Sequence, residues 1–451
     1  MGKFFGTDGV RGLANEYLTP ELAFLLGKAG ATALTEKGLH SPKIVVGSDT
    51  RLSSGMLEAA LSAGMCSVGA NVCVAGVIPT PGVAWLVKNK GFDAGVMISA
   101  SHNPFYDNGI KFFNADGYKL PDDIELEIER LIEMKADHFP RPINAEVGSI
   151  SALDDALGDY AEFLTGVVDG LDLGGLKIGV DCANGAVCRV APGVFASVGA
   201  DARILNFKPD GKNINDGCGS THMDALAEYV TENGLDMGIA FDGDGDRCLM
   251  VDSEGDIIDG DQIISICADH MTQKGELPKN GVVITVMSNL GLRVMARERG
   301  ITLEQTDVGD RYVLERMLSG GYALGGEQSG HVIFLNHTTT GDGMLTALKT
   351  LSILKEKNVT LKRAASIMTV FPQILVNVRA PNAKKMEYSK SPVIIKAIEE
   401  VENDFKDIGR ALIRPSGTEP IIRIMLEGPD VRFLKERAGR LARVIEEALR
   451  D

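Results

Sequence analysis

Residues 237–247 read Met-Gly-Ile-Ala-Phe-Asp-Gly-Asp-Gly-Asp-Arg, "MGIAFDGDGDR". An apolar run stops abruptly at three carboxylates separated by single glycines. The run suits a strand buried on both faces, and the polar segment suits a loop at its carboxyl end. The same design recurs twice. Residues 94–98 run into "SASHNP" at 99–104, and residues 322–324 run into "GGEQSGH" at 325–331.

Each of these runs is the third member of a similar set. Residues 43–47, 177–181 and 282–286 are short β-branched runs, and second runs begin near residues 71, 201 and 302. Helix-compatible segments such as 57–68 and 223–232 fill the gaps. Strands alternating with helices imply right-handed crossovers and mixed or mostly parallel sheets. The fold class expected is α/β, with three topologically related α/β domains. Loops beyond the carboxyl ends of strands are the usual ligand positions in such sheets, so each domain offers one polar loop to a shared site.

From about residue 368 the texture changes. Residues 374–378 and 421–426 read as strands, and 391–405 and 431–449 as amphipathic helices. Asp430 is the expected N-cap of the last helix, with Val431, Leu434, Leu441 and Ile445 on one stripe. This is an α+β domain, with the loop "RPSGTEP" at 414–420 before its strand. The divisions expected are 1–150, 151–254, 255–367 and 368–451, with Phe139-Pro140-Arg141-Pro142 as a linker.

With 451 residues the chain exceeds one core, in keeping with several domains. It has no run of 18 apolar residues and no signal-like apolar segment at Met1 to Asp8, so neither a membrane span nor secretion is expected. Seven cysteines without a C-x-x-C pair read as reduced, mostly core thiols of a cytoplasmic protein. The net charge of -16 disfavours nucleic acid and anionic membranes as partners. It also means that an anionic substrate requires a local positive pocket or a metal.

Asp242, Asp244 and Asp246 cannot cluster without a compensating cation. All-oxygen ligation points to a hard divalent ion, Mg²⁺ first. An EF-hand is excluded, because Arg247 stands where that loop needs glycine and Ser253 where its bidentate glutamate belongs. The competing reading is a solvated acidic turn. "RPSGTEP" can cradle an anion through arginine, hydroxyls and free amides, or can be a plain turn. Glu327, Ser329 and His331 suit sugar hydroxyls and a proton transfer, though a loop histidine is often structural. No G-x-x-x-x-G-K-[ST] occurs, so a nucleotide donor is not supported.

Together, and in this order, "GTDGVRG", "SASHNP", "DGDGDR", "GEQSGH" and "RPSGTEP" resemble the α-D-phosphohexomutase superfamily over the whole chain. The "FGTDGVRG" start, "TDVGDRYV" and the glutamine of "GEQSGH" resemble its bacterial glucosamine-phosphate branch. The resemblance implies four domains around a central cleft and a phosphoserine at Ser101. Asp242, Asp244 and Asp246, with a phosphate oxygen on Ser101, would hold one Mg²⁺ per subunit. Glu327 and Ser329 match sugar contacts. Arg414, Ser416, Gly417, Thr418 and Arg423 match a distal phosphate site. Arg11, Lys111, Arg247 and His331 match the catalytic centre, with Lys111 or His331 as acid and base. The implied reaction interconverts glucosamine 6-phosphate and glucosamine 1-phosphate through the 1,6-bisphosphate, in a cytoplasmic homodimer supplying peptidoglycan precursors. The alternatives are a mutase of glucose or mannose phosphates and a metal-dependent sugar-phosphate phosphatase.

Overall fold

Three times along the chain, two parallel crossovers and an antiparallel return build the same four-stranded motif. The computed structural model describes residues 3–6, 8–35, 41–134, 139–381, 384–406, 408–416 and 420–449. These fall into two compact units, Met1–Met287 with Gly300–Ile367, and Ser288–Arg299 with Met368–Asp451.

In the first unit the chain begins with β1 (Val10–Leu13), α1 (Pro20–Thr35), β2 (Lys43–Ser48), α2 (Ser54–Cys66), β3 (Asn71–Val77), α3 (Thr80–Lys90), β4 (Ala94–Ile98), β5 (Asp107–Asn114), α4 (Asp122–Glu133) and β6 (Ile150–Ala152). These strands form one sheet in the order β1-β5-β4-β2-β3-β6. Next come α5 (Ala156–Val167), β7 (Lys177–Asp181), α6 (Ala191–Ser197), β8 (Asp201–Leu205), α7 (Asp224–Glu232), β9 (Met237–Phe241), β10 (Cys248–Asp252) and β11 (Ile257–Ile258), with the sheet order β11-β10-β9-β7-β8. The third set is α8 (Gly260–Lys274), β12 (Gly281–Thr285), then α9 (Leu290–Arg299), which belongs to the second unit, β13 (Thr302–Thr306), α10 (Asp310–Gly320), β14 (Leu324–Gly326), β15 (Val332–Phe334), α11 (Gly343–Lys357) and α12 (Leu361–Ala365), with the sheet order β13-β12-β14-β15.

The motif common to all three runs second strand, first strand, third strand, antiparallel return: β3-β2-β4-β5, β8-β7-β9-β10 and β13-β12-β14-β15. The first three strands of each are parallel and the fourth is antiparallel. The parallel strands β2, β4, β7, β9 and β12 are buried almost throughout, as expected for strands covered by helices on both faces. In the first set the core joins Leu26 of α1 and Leu57, Leu61 and Met65 of α2 to Ile44 and Val96 of the sheet. Each such buried side chain contributes roughly 1.5–3 kcal/mol.

Two local expectations are corrected here. The third run of the last repeat is β14, which starts at Leu324 rather than Tyr322; the Tyr322 hydroxyl instead donates to Glu304 at 3.0 Å. Phe139-Pro140-Arg141-Pro142 is not a free linker. Phe139 is buried in the first core beneath the Lys28 ammonium, 4.3 Å from its ring centroid, and the chain beyond it returns to pair β6 with β3. An aromatic side chain that can be buried outweighs the loop signal of two prolines.

The second unit holds α9 together with β16 (Gln373–Arg379), α13 (Pro392–Asp404), β17 (Arg410–Pro415), β18 (Ile421–Glu427) and α14 (Val431–Ala448). Its antiparallel sheet runs β16-β18-β17. The segment carrying α9 is tied in by the buried Glu427, which accepts from the Leu290 amide at 2.8 Å and from Arg410 at 2.5 Å. On α14, Leu434, Leu441 and Ile445 are buried, whereas Val431 at the first turn is 40% exposed and leaves the expected stripe. Asp430 caps the helix, accepting from the amides of Arg432 and Phe433 at 2.8 and 3.2 Å. Asp430→Ala is expected to cost about 1 kcal/mol, read as earlier unfolding of this unit in calorimetry.

Candidate active site

The turn after β4 carries Ser101 in a left-handed conformation, φ +52°, at 2% exposure. A non-glycine residue there costs on the order of 1–3 kcal/mol and persists only where its surroundings over-determine it. Those surroundings are visible. The Ser101 carbonyl accepts from Arg51 Nη2 at 2.8 Å and from Asn215 Nδ2 at 2.9 Å. Its amide donates to Ser99 Oγ, which in turn donates to Asp49 at 2.6 Å. Arg51 pairs with Asp49 at 2.8 Å, both side chains being inaccessible, and also donates to the carbonyls of Asn103, Pro104 and Asp107. So held, the Ser101 hydroxyl donates to Asp242 Oδ2 at 2.6 Å.

Asp242 begins the loop after β9, in the second sheet's domain. Gly245 supplies the positive φ that folds this loop, at +72°, but Gly243 is needed for a different reason. A Cβ at Gly243 would lie 2.5 Å from the Ser101 carbonyl oxygen, so only glycine lets the two loops approach. Asp242, Asp244 and Asp246 are all buried, with one ligand oxygen from each within 4.8 Å of the others. Asp244 Oδ2 accepts from Thr80 Oγ1 at 2.6 Å and pairs with Lys111 at 2.8 Å. Its Oδ1 and that of Asp246 are buried without a hydrogen-bond partner. Burial first, then the charges of Asp246 and Asp244, push the Asp242 carboxyl well above its usual range. Two orphaned carboxylate oxygens and a carboxyl driven toward neutrality are what a missing positive charge produces. The three groups fit a hard divalent cation.

Around this group the charges alternate. Lys111, on β5, lies between Asp244 and Asp8, 3.0 Å from the latter. Asp8 also meets Lys119, which reaches Asp310 at 2.5 Å. Asp310 Oδ2 lies 4.0 Å from His331 Nε2, and His331 Nδ1 lies 3.5 Å from Asp246. Burial alone would raise Asp8, Asp244 and Asp310, yet neighbouring lysines hold all three below the usual carboxylate range. Burial opposes a second proton on His331, but Asp246, Asp310 and Glu327 more than offset it and its pKa is raised. His331 Nε2 accepts the Gly341 amide at 3.0 Å, so the proton of the neutral ring sits on Nδ1. The next residue, Asp342, caps α11 and accepts from Tyr160 at 2.9 Å, fixing this turn.

Ser101, Lys111, Arg11, Arg247, His331, Glu327 and Ser329 thus come together with the three aspartates in the first unit. Arg11 bonds Asp8, and the Arg247 amide donates to Asp242 at 3.2 Å. Glu327 accepts from the Gly309 amide at 3.1 Å, and the Ser329 hydroxyl is buried without a partner. Gln328 anchors their loop by donating to Asp259, the cap of α8. His102 makes no contact that would activate Ser101; burial, then Arg247 and Arg11, lower its pKa to about 4. In the second unit Arg414 and Arg423 are cross-strand partners at the end of the β17–β18 hairpin, and the Ser416 carbonyl accepts from Lys385 at 2.7 Å. Arg414 and Pro415 end a strand that the sequence reading did not foresee. Gly417 and Thr418 lie outside the described residues.

Family models agree with this arrangement. Models of phosphoglucomutase/phosphomannomutase alpha/beta/alpha domains I, II and III match residues 2–138, 159–255 and 259–371, and that of the C-terminal domain matches 375–444. The chain belongs to the phosphoglucomutase/phosphomannomutase family. Within it, the chain is 54% identical to a phosphoglucosamine mutase of Ruminiclostridium cellulolyticum over 446 residues, 99% of each chain. It is also 54% identical to one of Caldicellulosiruptor bescii over 451 residues, the full length of both. Among solved structures, a phosphoglucomutase/phosphomannomutase family protein from Burkholderia thailandensis superposes with a TM-score of 0.80 at 23% identity, covering 98% of this chain and 97% of that one. An Aspergillus fumigatus N-acetylphosphoglucosamine mutase, solved with GlcNAc-6P and magnesium, gives 0.69 at 19% identity, covering 100% and 97%. These two likenesses concern the fold.

For this member of the phosphoglucomutase/phosphomannomutase family, the participants in the site that escaped the sequence reading include Asp8, Arg51, Thr80, Asn215, Lys119 and Asp310. Asp8 lies inside the quoted "GTDGVRG". Arg51 follows the carboxyl end of β2, where the rule applied to β4, β9 and β14 would have found it. Thr80, Asn215 and Lys119 carry no local signal, because their partners are 164, 114 and 111 residues away.

Proposed function

We propose that the chain interconverts glucosamine 6-phosphate and glucosamine 1-phosphate through a phosphorylated Ser101. The observation that carries this reading is the 2.6 Å hydrogen bond from Ser101 to Asp242, which sets a serine hydroxyl on the edge of a buried three-carboxylate group. The glucosamine preference is supported by relatives of 51–54% identity named phosphoglucosamine mutase.

In the first half-reaction the free hydroxyl of the bound monophosphate attacks the phosphorus on Ser101. A new P–O bond forms and the bond to Ser101 Oγ breaks; one of Lys111 and His331, acting in its unprotonated form, takes the hydroxyl proton, and the other returns a proton to Ser101 Oγ. The 1,6-bisphosphate turns end over end, and its other phosphate returns to Ser101 by the reverse chemistry. Arg247 offsets charge on the transferring group, and Glu327 and Ser329 hold sugar hydroxyls. Arg414, Ser416, Gly417, Thr418 and Arg423 take the distal phosphate. Asp242, Asp244 and Asp246 would hold a divalent cation, Mg²⁺ in this reading, which would supply further charge neutralisation to the transferring group.

No described helix is long and apolar enough to cross a membrane, and the seven cysteines are unpaired. The thiols support placing the reaction in the cytoplasm. A homodimer remains part of the reading on the strength of the family resemblance.

The test is ³¹P NMR of glucosamine 6-phosphate with the purified, phosphorylated protein. Growth of the glucosamine 1-phosphate signal supports the mutase. Release of inorganic phosphate alone would replace it with a phosphatase, and a higher kcat/KM for glucose or mannose phosphates would move the substrate. Chelation with EDTA should abolish turnover, and excess Mg²⁺ should restore it.

A further inference from the structure

Asp246, His331, Asp310, Lys119, Asp8, Lys111 and Asp244 form a chain of alternating charge that starts and ends at the three-carboxylate group. Its ends, Asp244 and Asp246, lie in the second sheet's domain, and its other members come from two further domains. Asp8, Lys111 and Lys119 belong to the first, and Asp310 and His331 to the third. Lys119 stands at the midpoint, farthest along the chain from the metal group, and its ammonium contacts carboxylates of both domains.

We infer that Lys119 is a positioning residue that aligns the proton-transfer groups Lys111 and His331 by bridging Asp8 and Asp310. The inference rests on the proposed mutase reading for the roles of those two groups. The physical case is one of counting. Asp8, Asp244, Asp246 and Asp310 place four carboxylates against two ammonium groups, two guanidinium groups and one imidazole, but of these cations it is Lys119 that pairs with both Asp8 and Asp310. Without Lys119, Asp8 and Asp310 would face each other with no cation between them, their side chains only 20% and 19% exposed. Like charges at such range repel strongly in a poorly solvated site, so both carboxylates would turn away. Asp8 is the second partner of Lys111, and Asp310 is the first residue of α10, directly after Gly309 at φ +137°. Displacing either carboxylate releases one proton-transfer group from its present geometry. The side chain of Lys119 is 16% exposed, and its ion pairs go to Asp8 and Asp310 rather than to the three aspartates, so metal binding is left intact.

The experiment compares Lys119→Met, Lys119→Arg and Asp310→Asn in the full-length protein. Lys119→Met should lower kcat by about 100-fold, the scale of a roughly 1 Å misplacement, while KM changes by less than about threefold. Lys119→Arg, which keeps the charge, should recover most of that loss. Adding Asp310→Asn to Lys119→Met should cost less than the two single losses combined, because the uncompensated carboxylate is removed. Hydrogen–deuterium exchange should rise in K119M, but not in K119R, at the start of α10 and around Asp8, with unchanged Mg²⁺ affinity by calorimetry. Unchanged kcat in K119M, equal losses in K119M and K119R, or unaltered exchange at α10 would each overturn the inference. Wild-type turnover is the control for the mutase reading itself. Were it absent, that reading would fall, and the exchange data would still decide whether Lys119 ties the two domains.

Discussion

Ser101→Ala is expected to reduce isomerisation to background, a loss of at least about 1,000-fold in kcat, and to abolish ³²P transfer to the protein from labelled 1,6-bisphosphate. Uncatalysed phosphate-monoester chemistry is so slow that nothing measurable replaces a missing nucleophile. No neighbour can substitute. Ser99, two residues away, already donates its hydroxyl to Asp49 at 2.6 Å and is fully buried. Thr80 is similarly committed to Asp244. Alanine removes the donor to Asp242 but adds no bulk, so the fold and substrate affinity should survive. Near-normal turnover in Ser101→Ala would refute the phosphoserine reading.

Arg51→Met should be the most damaging substitution outside the substrate and metal groups. It leaves Asp49 as a buried, unpaired charge, a loss of roughly 3–5 kcal/mol when one partner of a buried ion pair is removed. It also removes a donor from the carbonyls of Ser101, Asn103, Pro104 and Asp107, leaving the first two to Asn215 alone. Two readouts separate these effects. Calorimetry should record earlier unfolding of the first sheet's domain. Phosphorylation of Ser101 by 1,6-bisphosphate should slow, because the left-handed turn at φ +52° loses a restraint. Arg51→Lys should rescue little, since a point charge cannot span four carbonyls and a carboxylate. In the double variant with Asp49→Asn, part of the stability should return. Wild-type stability and phosphorylation rate in Arg51→Met would disprove this account.

How much of this could be read from the chain alone depends on the range over which each residue acts. The parallel strands were legible because burial on both faces leaves a continuous apolar run, as in β4 and β9. The antiparallel returns were not: β5 carries Asn108 and Lys111, polar residues whose partners lie in other loops. Asp242, Asp244 and Asp246 announced themselves because repulsion among adjacent carboxylates is a local fact. Lys119 and Asn215 did not, since a lone lysine or asparagine gains meaning only from what folding brings beside it. Val431 failed for a smaller reason: the first helical turn can face outward even when the stripe predicts otherwise. Phe139 was hidden by its prolines.

The hydrogen bond from Ser101 to Asp242 spans 141 residues of chain. During synthesis the serine therefore exists before its carboxylate does, by roughly 7–28 s at 5–20 residues per second. In that interval the nascent chain presents a hydroxyl with neither the Asn215 restraint nor the acidic loop that gives it chemical meaning. Competence to carry a phosphoryl group is thus a property of the finished second domain, and the protein cannot begin work half-made.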